Sequence, residues 1–349
     1  MALPAEEVYW LKASCFRPGF KSIIRYWSLL PGLYIIMFLM NTSRYRDLNT
    51  ALREHFGCRV QKITLDAGLT CPNRDGTLGV GGCIYCNVRG SGTGLSQDYT
   101  ITEQLERGKK RLARRYKAKK FIAYFQSFSN TYGSPEDLEA LYLEALAVKD
   151  VVGLAIGTRP DCVPDNVLDM LSELNQRTYL WIEYGLQSIH DRTLELINRG
   201  HDVAAFVDAV ERSRRRDLKI CVHIILGLPD EDKTDMLATA RALGELDIQG
   251  VKIHLLYVIE GTALAEIYLR GDYRCLSREE YVDIVGEFLA LLPPQVTIHR
   301  LTGDPHPEEL LAPKWALDKQ TNLQAIRESL QSRDLWQGKY FSQQHTADS

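Results

Sequence analysis

Six short apolar runs, rich in β-branched and aromatic residues and separated by segments of helical period, constrain this chain more than any other feature. The runs are 60–65 (VQKITL), 121–126 (FIAYFQ), 151–156 (VVGLAI), 179–184 (YLWIEY), 219–226 (KICVHIIL) and 251–258 (VKIHLLYV). Amphipathic patterns lie between them near 101–117, 135–148, 164–175, 202–215 and 232–247. Leu138, Leu141, Tyr142 and Ala145, for example, recur at the spacing of one helix face. Antiparallel neighbours can be joined by tight turns, whereas parallel neighbours need long crossovers. Helical crossovers of this length therefore predict a parallel α/β sheet. Strand starts recur about every 30 residues, the size of one βα unit.

Six units are two short of a closed barrel. The predicted fold is a partial (β/α)6 TIM-like barrel with a C-terminal α/β extension, its functional residues at the C-terminal ends of the strands. A doubly wound open sheet is the alternative, but no G-x-G-x-x-G follows the first run. The barrel core is assigned to 41–292. Residues 262–292 read as further helix, TALAEIYLRGDY and then SREEYVDIVGEFLALL, stopped by Pro293 and Pro294. An extension over 293–341 carries a strand at 296–301 (VTIHRL) and a helix near 315–331; 342–349 reads as a frayed tail.

The first residues read differently. Arg17, Lys21 and Arg25 precede the apolar run WSLLPGLYIIMFLM at 27–40, which is interrupted by Pro31 and Gly32. It is shorter than the roughly 20 residues of a spanning helix. An interfacial anchor, an export signal and translated upstream sequence with the true start at Met40 all fit. Polar sequence begins at once after Met40, which favours the last reading and places 1–39 outside the fold. No stable membrane association is expected.

Composition excludes whole classes. Apolar residues make up 45% and charged residues 25%, which is globular and neither disordered nor multi-spanning. The formal net charge is −3, so bulk charge gives no affinity for nucleic acid and any such contact needs a local patch. Two basic runs could supply one: 107–120 (RGKKRLARRYKAKK), with nine basic residues in fourteen, and 212–216 (RSRRR). Solvated helix faces are the plainer explanation of both.

The loop after the first run carries Cys71, Cys83 and Cys86 at C-x11-C-x2-C spacing, among many glycines. A loop of this length in a compact barrel is commonly functional, and glycine lets backbone approach a cofactor. Protein-only ligation of a [4Fe–4S] cubane takes four cysteines. Three leave one iron open to a chelating amine and carboxylate, from which an electron can pass into a bound sulfonium. A Cys3His zinc site completed by His55 is the competing reading, and a thioredoxin-like pair is a third. Cys221, inside an apolar run, reads as core.

The motifs around these cysteines, CPNRDGT at 71–77 and GGCIYCN at 81–87, resemble the radical S-adenosylmethionine (SAM) superfamily. They are most similar to its bacterial branch related to the radical SAM domain of the Elongator catalytic subunit. The resemblance runs from about residue 41 to 341. It implies an enzyme holding a [4Fe–4S] cluster on Cys71, Cys83 and Cys86 and binding SAM, with Tyr85 against the adenine. It further implies Gln126 and Ser127 in place of the absent Gly-Gly-Glu segment. Glu183 and Gln187 of EYGLQS (183–188) would face SAM, and Gly227 of LGLP (226–229) would pass the adenosine. TRPD (158–161) and VIEGT (258–262) also match this branch.

For Arg159 and Asp161 a local salt bridge and a place at the cavity mouth are both open. Lys252 and His254 share a face by period-two alternation, so they point inward together or not at all. For His254 the expected role is that of a satisfied core histidine.

Kinship with Elongator implies a tRNA base, the wobble uridine side chain, as substrate. No counterpart of Elongator's acetyltransferase domain is expected in the residues after 300, and no second cysteine cluster suggests sulfur insertion. A one-electron donor of flavodoxin or ferredoxin type is implied, as is a reducing cytoplasm. Two other readings stay open: a radical SAM enzyme acting on a small metabolite, and a zinc-stabilised RNA-binding protein without catalysis.

Overall fold

The computed structural model describes residues 43–87, 90 and 98–342. The predicted extension at 1–39 and the tail beyond 342 lie outside the described residues. Each of the six apolar runs forms a strand: β1 (Val60–Leu65), β2 (Lys120–Phe125), β3 (Val151–Thr158), β4 (Tyr179–Gln187), β5 (Lys219–Leu226) and β6 (Gly250–Leu255). The sixth run stops early, and its end becomes β7 (Val258–Ile259). The strand at 296–301 is β8 (Thr297–Arg300), and it does not stand apart in the extension. It pairs parallel to β6, so the sheet has seven strands in the order β1-β2-β3-β4-β5-β6-β8. A separate antiparallel pair joins β7 to β9 (Leu310–Ala312).

The helices follow their amphipathic patterns. α1 (Leu48–Phe56) precedes the sheet. The crossovers are α2 (Ile101–Tyr116), α3 (Pro135–Ala147), α4 (Asp165–Asn175), then α5 (Asp191–Leu196) with α6 (Val203–Arg214), and α7 (Lys233–Glu245). Side-chain caps start them: Thr100 and Glu103 form a reciprocal capping box on α2, and Asp232 and Asp235 do so on α7. The two helical segments read within 262–292 form separate helices, α8 (Ala263–Leu269) and α9 (Arg278–Leu291). Gly271, at φ +84°, takes the left-handed turn that ends the first. The last helix, α10 (Lys319–Ser332), follows a short 3-10 turn at Lys314–Leu317.

Strand alternation divides the side chains between two layers. Ile63, Leu65, Phe125, Ile156, Ile182, Val222 and Ile253 point outward into the main core beneath the helices. Val60, Ile122, Tyr124, Ala155, Trp181 and Cys221 point inward and pack with Leu52 of α1. α1 touches both edge strands, β1 and β8, and Asp47 bridges to Ile298. It thereby closes the N-terminal end of the open barrel. Cys221 is core, as its sequence context predicts. Among the described residues no helix is long and apolar enough to cross a membrane.

Candidate active site

The loop after β1 folds tightly on itself. Backbone N–H groups of Arg74 and Asp75 donate to the Cys71 carbonyl at 2.8 and 3.2 Å, and Cys86 N–H donates to the Cys83 carbonyl at 2.9 Å. Two asparagines clasp this loop to the turn after α5. Asn73 Nδ2 donates to the Asn198 carbonyl at 2.6 Å, and Asn198 Nδ2 donates to the Gly82 carbonyl at 2.8 Å. Gly82 adopts φ +80°, and a Cβ there would press on the Arg74 side chain at 3.2 Å. The result brings Cys71, Cys83 and Cys86 onto the wall of one cavity of about 780 Å³ at the C-terminal ends of the strands. No other cysteine lines it among the described residues.

Two arginines stand beside the thiols. Arg199 Nη1 reaches Cys83 Sγ at 3.6 Å while Nη2 donates to the Gly185 carbonyl at 2.7 Å. Arg159 Nη1 lies 4.0 Å from Cys71 Sγ and donates to the Arg199 carbonyl at 2.7 Å. Its Nε and Nη2 grip both oxygens of Asp161 at 2.9 and 2.7 Å. The salt bridge and the place at the cavity are therefore the same arrangement. A hydrogen bond from the Cys86 thiol and the charge of Arg199 outweigh burial and hold Cys83 well below the ordinary thiol range. The thiolate is the form that binds metal.

Below the cysteines, polar side chains from five strands meet on Glu183. Its carboxylate is fully buried and forms an ion pair with Lys62 of β1. His223 Nε2 of β5 lies 2.7 Å away, Lys252 Nζ of β6 3.4 Å and His299 Nδ1 of β8 3.7 Å. Lys252 Nζ also donates to Tyr124 OH at 2.6 Å. Burial alone would raise the Glu183 pKa, but Lys62 and Lys252, with bonds from the two histidines, hold it well below the carboxylate range. Burial dominates at the bases, lowering His223 to about 4, His299 to about 3 and Lys252 to about 8. Lys252 and His254 do point inward together. His254 lines the cavity, against the expectation of a satisfied core histidine.

The structure distributes the other predicted residues unevenly. Tyr85, Gln126, Glu183 and Gln187 line the cavity with the cysteines. Ser127 is buried and off that wall, and Ser129 lines it instead. Phe128, at φ +63°, turns the chain between them. Gly227 is also off the wall: its carbonyl accepts from Tyr273 OH at 2.7 Å, and a Cβ would meet Leu276 at 3.1 Å. Glu183 spends its carboxylate on the protein's own cations. His55 is remote from the cysteines; it packs on Phe56 and on Tyr179, at the opposite end of β4. That placement removes the Cys3His arrangement.

Sequence reasoning missed Arg199, Lys62, His223, His299 and Arg300. Lys62, His223 and His299 sit in strand runs at the period of the inward face, which is the signal that could have found them. Arg199, in a turn, had none. Of the two basic runs, Arg212, Arg214 and Arg216 are paired with Asp208, Asp247 and Asp169 at 2.7 Å or less. Arg107, Lys110, Arg111, Arg114 and Arg115 instead line a surface groove on α2, with no carboxylate paired to them among the described residues.

The sequence matches the Radical SAM superfamily over residues 71–243 and the Radical_SAM C-terminal domain over 248–332. The Bacillus subtilis protein YtqA is 47% identical over 301 residues, 86% of this chain and 93% of its own. The tRNA uridine(34) acetyltransferase of Methanocaldococcus jannaschii is 30% identical over 169 residues, 48% of this chain and 31% of its own. Among solved structures, the archaeal Elp3 of Methanocaldococcus infernus superposes with a TM-score of 0.62 at 18% identity. It covers 80% of this chain and 64% of that one, a likeness of fold.

Proposed function

The chain belongs to the radical SAM superfamily, and we propose that this radical SAM enzyme acts on a tRNA base, the side chain of wobble uridine. The observation that carries the chemistry is the convergence of Cys71, Cys83 and Cys86 on one cavity that no fourth cysteine lines among the described residues. Three thiolates with two guanidinium groups beside them suit a [4Fe–4S] cluster with one iron left to SAM. When bound, the two supply one-electron reductive cleavage of the sulfonium and a 5′-deoxyadenosyl radical.

The chain's own residues do the rest. Arg199 and Arg159 offset the negative charge of the thiolates. Tyr85, Gln126 and Gln187 line the space for SAM beside them. The Glu183 network and α1 close the cavity floor and keep water out from below. Such a cluster suits a reducing cytoplasm and needs a one-electron donor of flavodoxin or ferredoxin type.

Two observations support tRNA. The α2 groove gathers five cations, none of them in an ion pair with a carboxylate among the described residues, a concentration suited to backbone phosphates. A relative sharing part of the sequence is named for tRNA uridine(34).

Nucleoside profiling of tRNA from a deletion strain tests the substrate. A changed 5-substituted uridine peak is the expected result, and an unaltered profile would reject tRNA. Reconstituted, reduced protein given SAM should release 5′-deoxyadenosine.

A further inference from the structure

The cavity has a second charged region, on the β6–β8 side. Lys252 of β6 is buried, and Arg300 of β8 lines the same wall, with His254 beside them. Both cations act on the His254 ring, which burial and their charge hold neutral, well below the ordinary imidazole range. A neutral imidazole keeps one N–H to donate. No hydrogen-bond partner for the His254 ring occurs among the described residues; its neighbour is the His223 ring at 5.7 Å.

The cations on this side have only shared or solvent-exposed counter-charges. Lys62 and Lys252 share one buried carboxylate, Glu183, which the two histidines also engage. Lys252 reaches it only at 3.4 Å. Arg300 gives its Nε to the Thr302 carbonyl at 2.5 Å and has Asp304 at 3.6 Å. Asp304 is itself drawn to Lys319 at 2.5 Å and is 60% exposed. A cation in a partly desolvated wall whose counter-charge is distant, shared or exposed gains when a ligand brings another anion to it. A cavity of about 780 Å³ is at the large end for one small molecule.

We infer that the β6–β8 wall is an oxyanion site, in which Lys252, His254 and Arg300 hold a carboxylate or phosphate of the substrate. It deepens the reading of this cavity as a radical SAM site and adds that the group presented to it is anionic. The SAM carboxylate belongs with the open iron beside the cysteines. The oxyanion on the β6–β8 side is therefore assigned to the second molecule.

The test needs no tRNA, so its failure leaves the tRNA proposal standing, and failure of tRNA profiling leaves this site standing. Anaerobic holoprotein with ¹³C-labelled histidine is titrated with acetate, inorganic phosphate and the neutral isostere acetamide. The His254 resonance is assigned by its loss in His254→Asn. The expected result is a saturable shift with acetate or phosphate and none with acetamide. The tighter of the two anions identifies the group, a carboxylate or a backbone phosphate. Arg300→Gln should weaken the anion about tenfold, the cost of one charge-assisted hydrogen bond, and Arg300→Lys should recover part of it. A response equal for acetamide, or unchanged in Arg300→Gln of native thermal stability, overturns the site. Displacement of the anion by saturating SAM overturns its assignment to the substrate.

Discussion

Arg199 Nη1 lies 3.6 Å from Cys83 Sγ, joining residues 116 positions apart in the chain. The guanidinium is buried and pinned by the Gly185 carbonyl at 2.7 Å. A Cβ at Gly185 would stand 2.7 Å from Arg199 Nη2 and would push the guanidinium aside. A fixed positive charge beside a ligand thiolate favours the extra electron of a reduced cluster. Arg199→Met should lower the midpoint potential by on the order of 50–100 mV, about one to two decades in a one-electron equilibrium. Redox titration followed by EPR checks it; an unmoved potential in a folded, loaded variant would refute the role.

Removing a thiol should separate ligands from bystanders. Cys71→Ala, Cys83→Ala and Cys86→Ala should each lose most of the iron and all 5′-deoxyadenosine formation. Cys275→Ala, off the cavity, should keep about four irons per chain. Metal analysis of anaerobically purified protein distinguishes the two groups, and zinc in place of iron would contradict the assignment.

Glu183 carries the charge balance of the barrel interior. Glu183→Gln leaves Lys62 and Lys252 facing each other without a carboxylate. The expected destabilisation is about 3–5 kcal/mol, the usual cost of breaking a buried pair. The double variant Glu183→Gln with Lys62→Met should recover part of it, since one orphaned charge is gone. Chemical denaturation of the two variants beside the parent protein reads the result; no recovery would mean that packing, not charge, dominates.

The buried histidines predict acid sensitivity. His223 and His299 have folded pKa values near 4 and 3, against about 6.5 in the unfolded chain. Between pH 6.5 and about 4 the unfolded state binds more protons, so stability falls as pH drops. The slope should reach up to about 1.4 kcal/mol per pH unit for each histidine. Glu183, lowered instead, stabilises the fold above its unfolded value and loses that contribution as pH falls through its folded one. Lys252, near 8 when folded, adds stability as pH rises from about 8 toward its unfolded value. Thermal melts across this range check the profile. Replacing His299 with Phe should flatten the acid limb.

Much of the barrel was legible because its signals are local. β1 and β5 begin and end where their apolar runs do, and the capping boxes of α2 and α7 sit at the predicted helix starts. The cysteine trio was legible for the same reason, since its spacing and glycines lie within one loop. The two helical segments within 262–292 were legible too, but the end of the first was not, because Gly271 is a weak local signal whose meaning depends on the left-handed turn it adopts.

The order of residues along the chain thus determined which segments are strands, which are helices and which three thiols stand together. Alternation even showed that Lys252 and His254 share a face. Only the curved sheet decided which face that is, and the tertiary fold alone brought Lys62, Glu183, His223 and His299 to one point and Arg199 to Cys83. Hydrogen bonding within helices and hydrophobic period are properties of near neighbours. Strand period can mark a side chain as inward, but the partner of a buried charge is chosen by barrel curvature, which joins positions 40 to 121 residues apart.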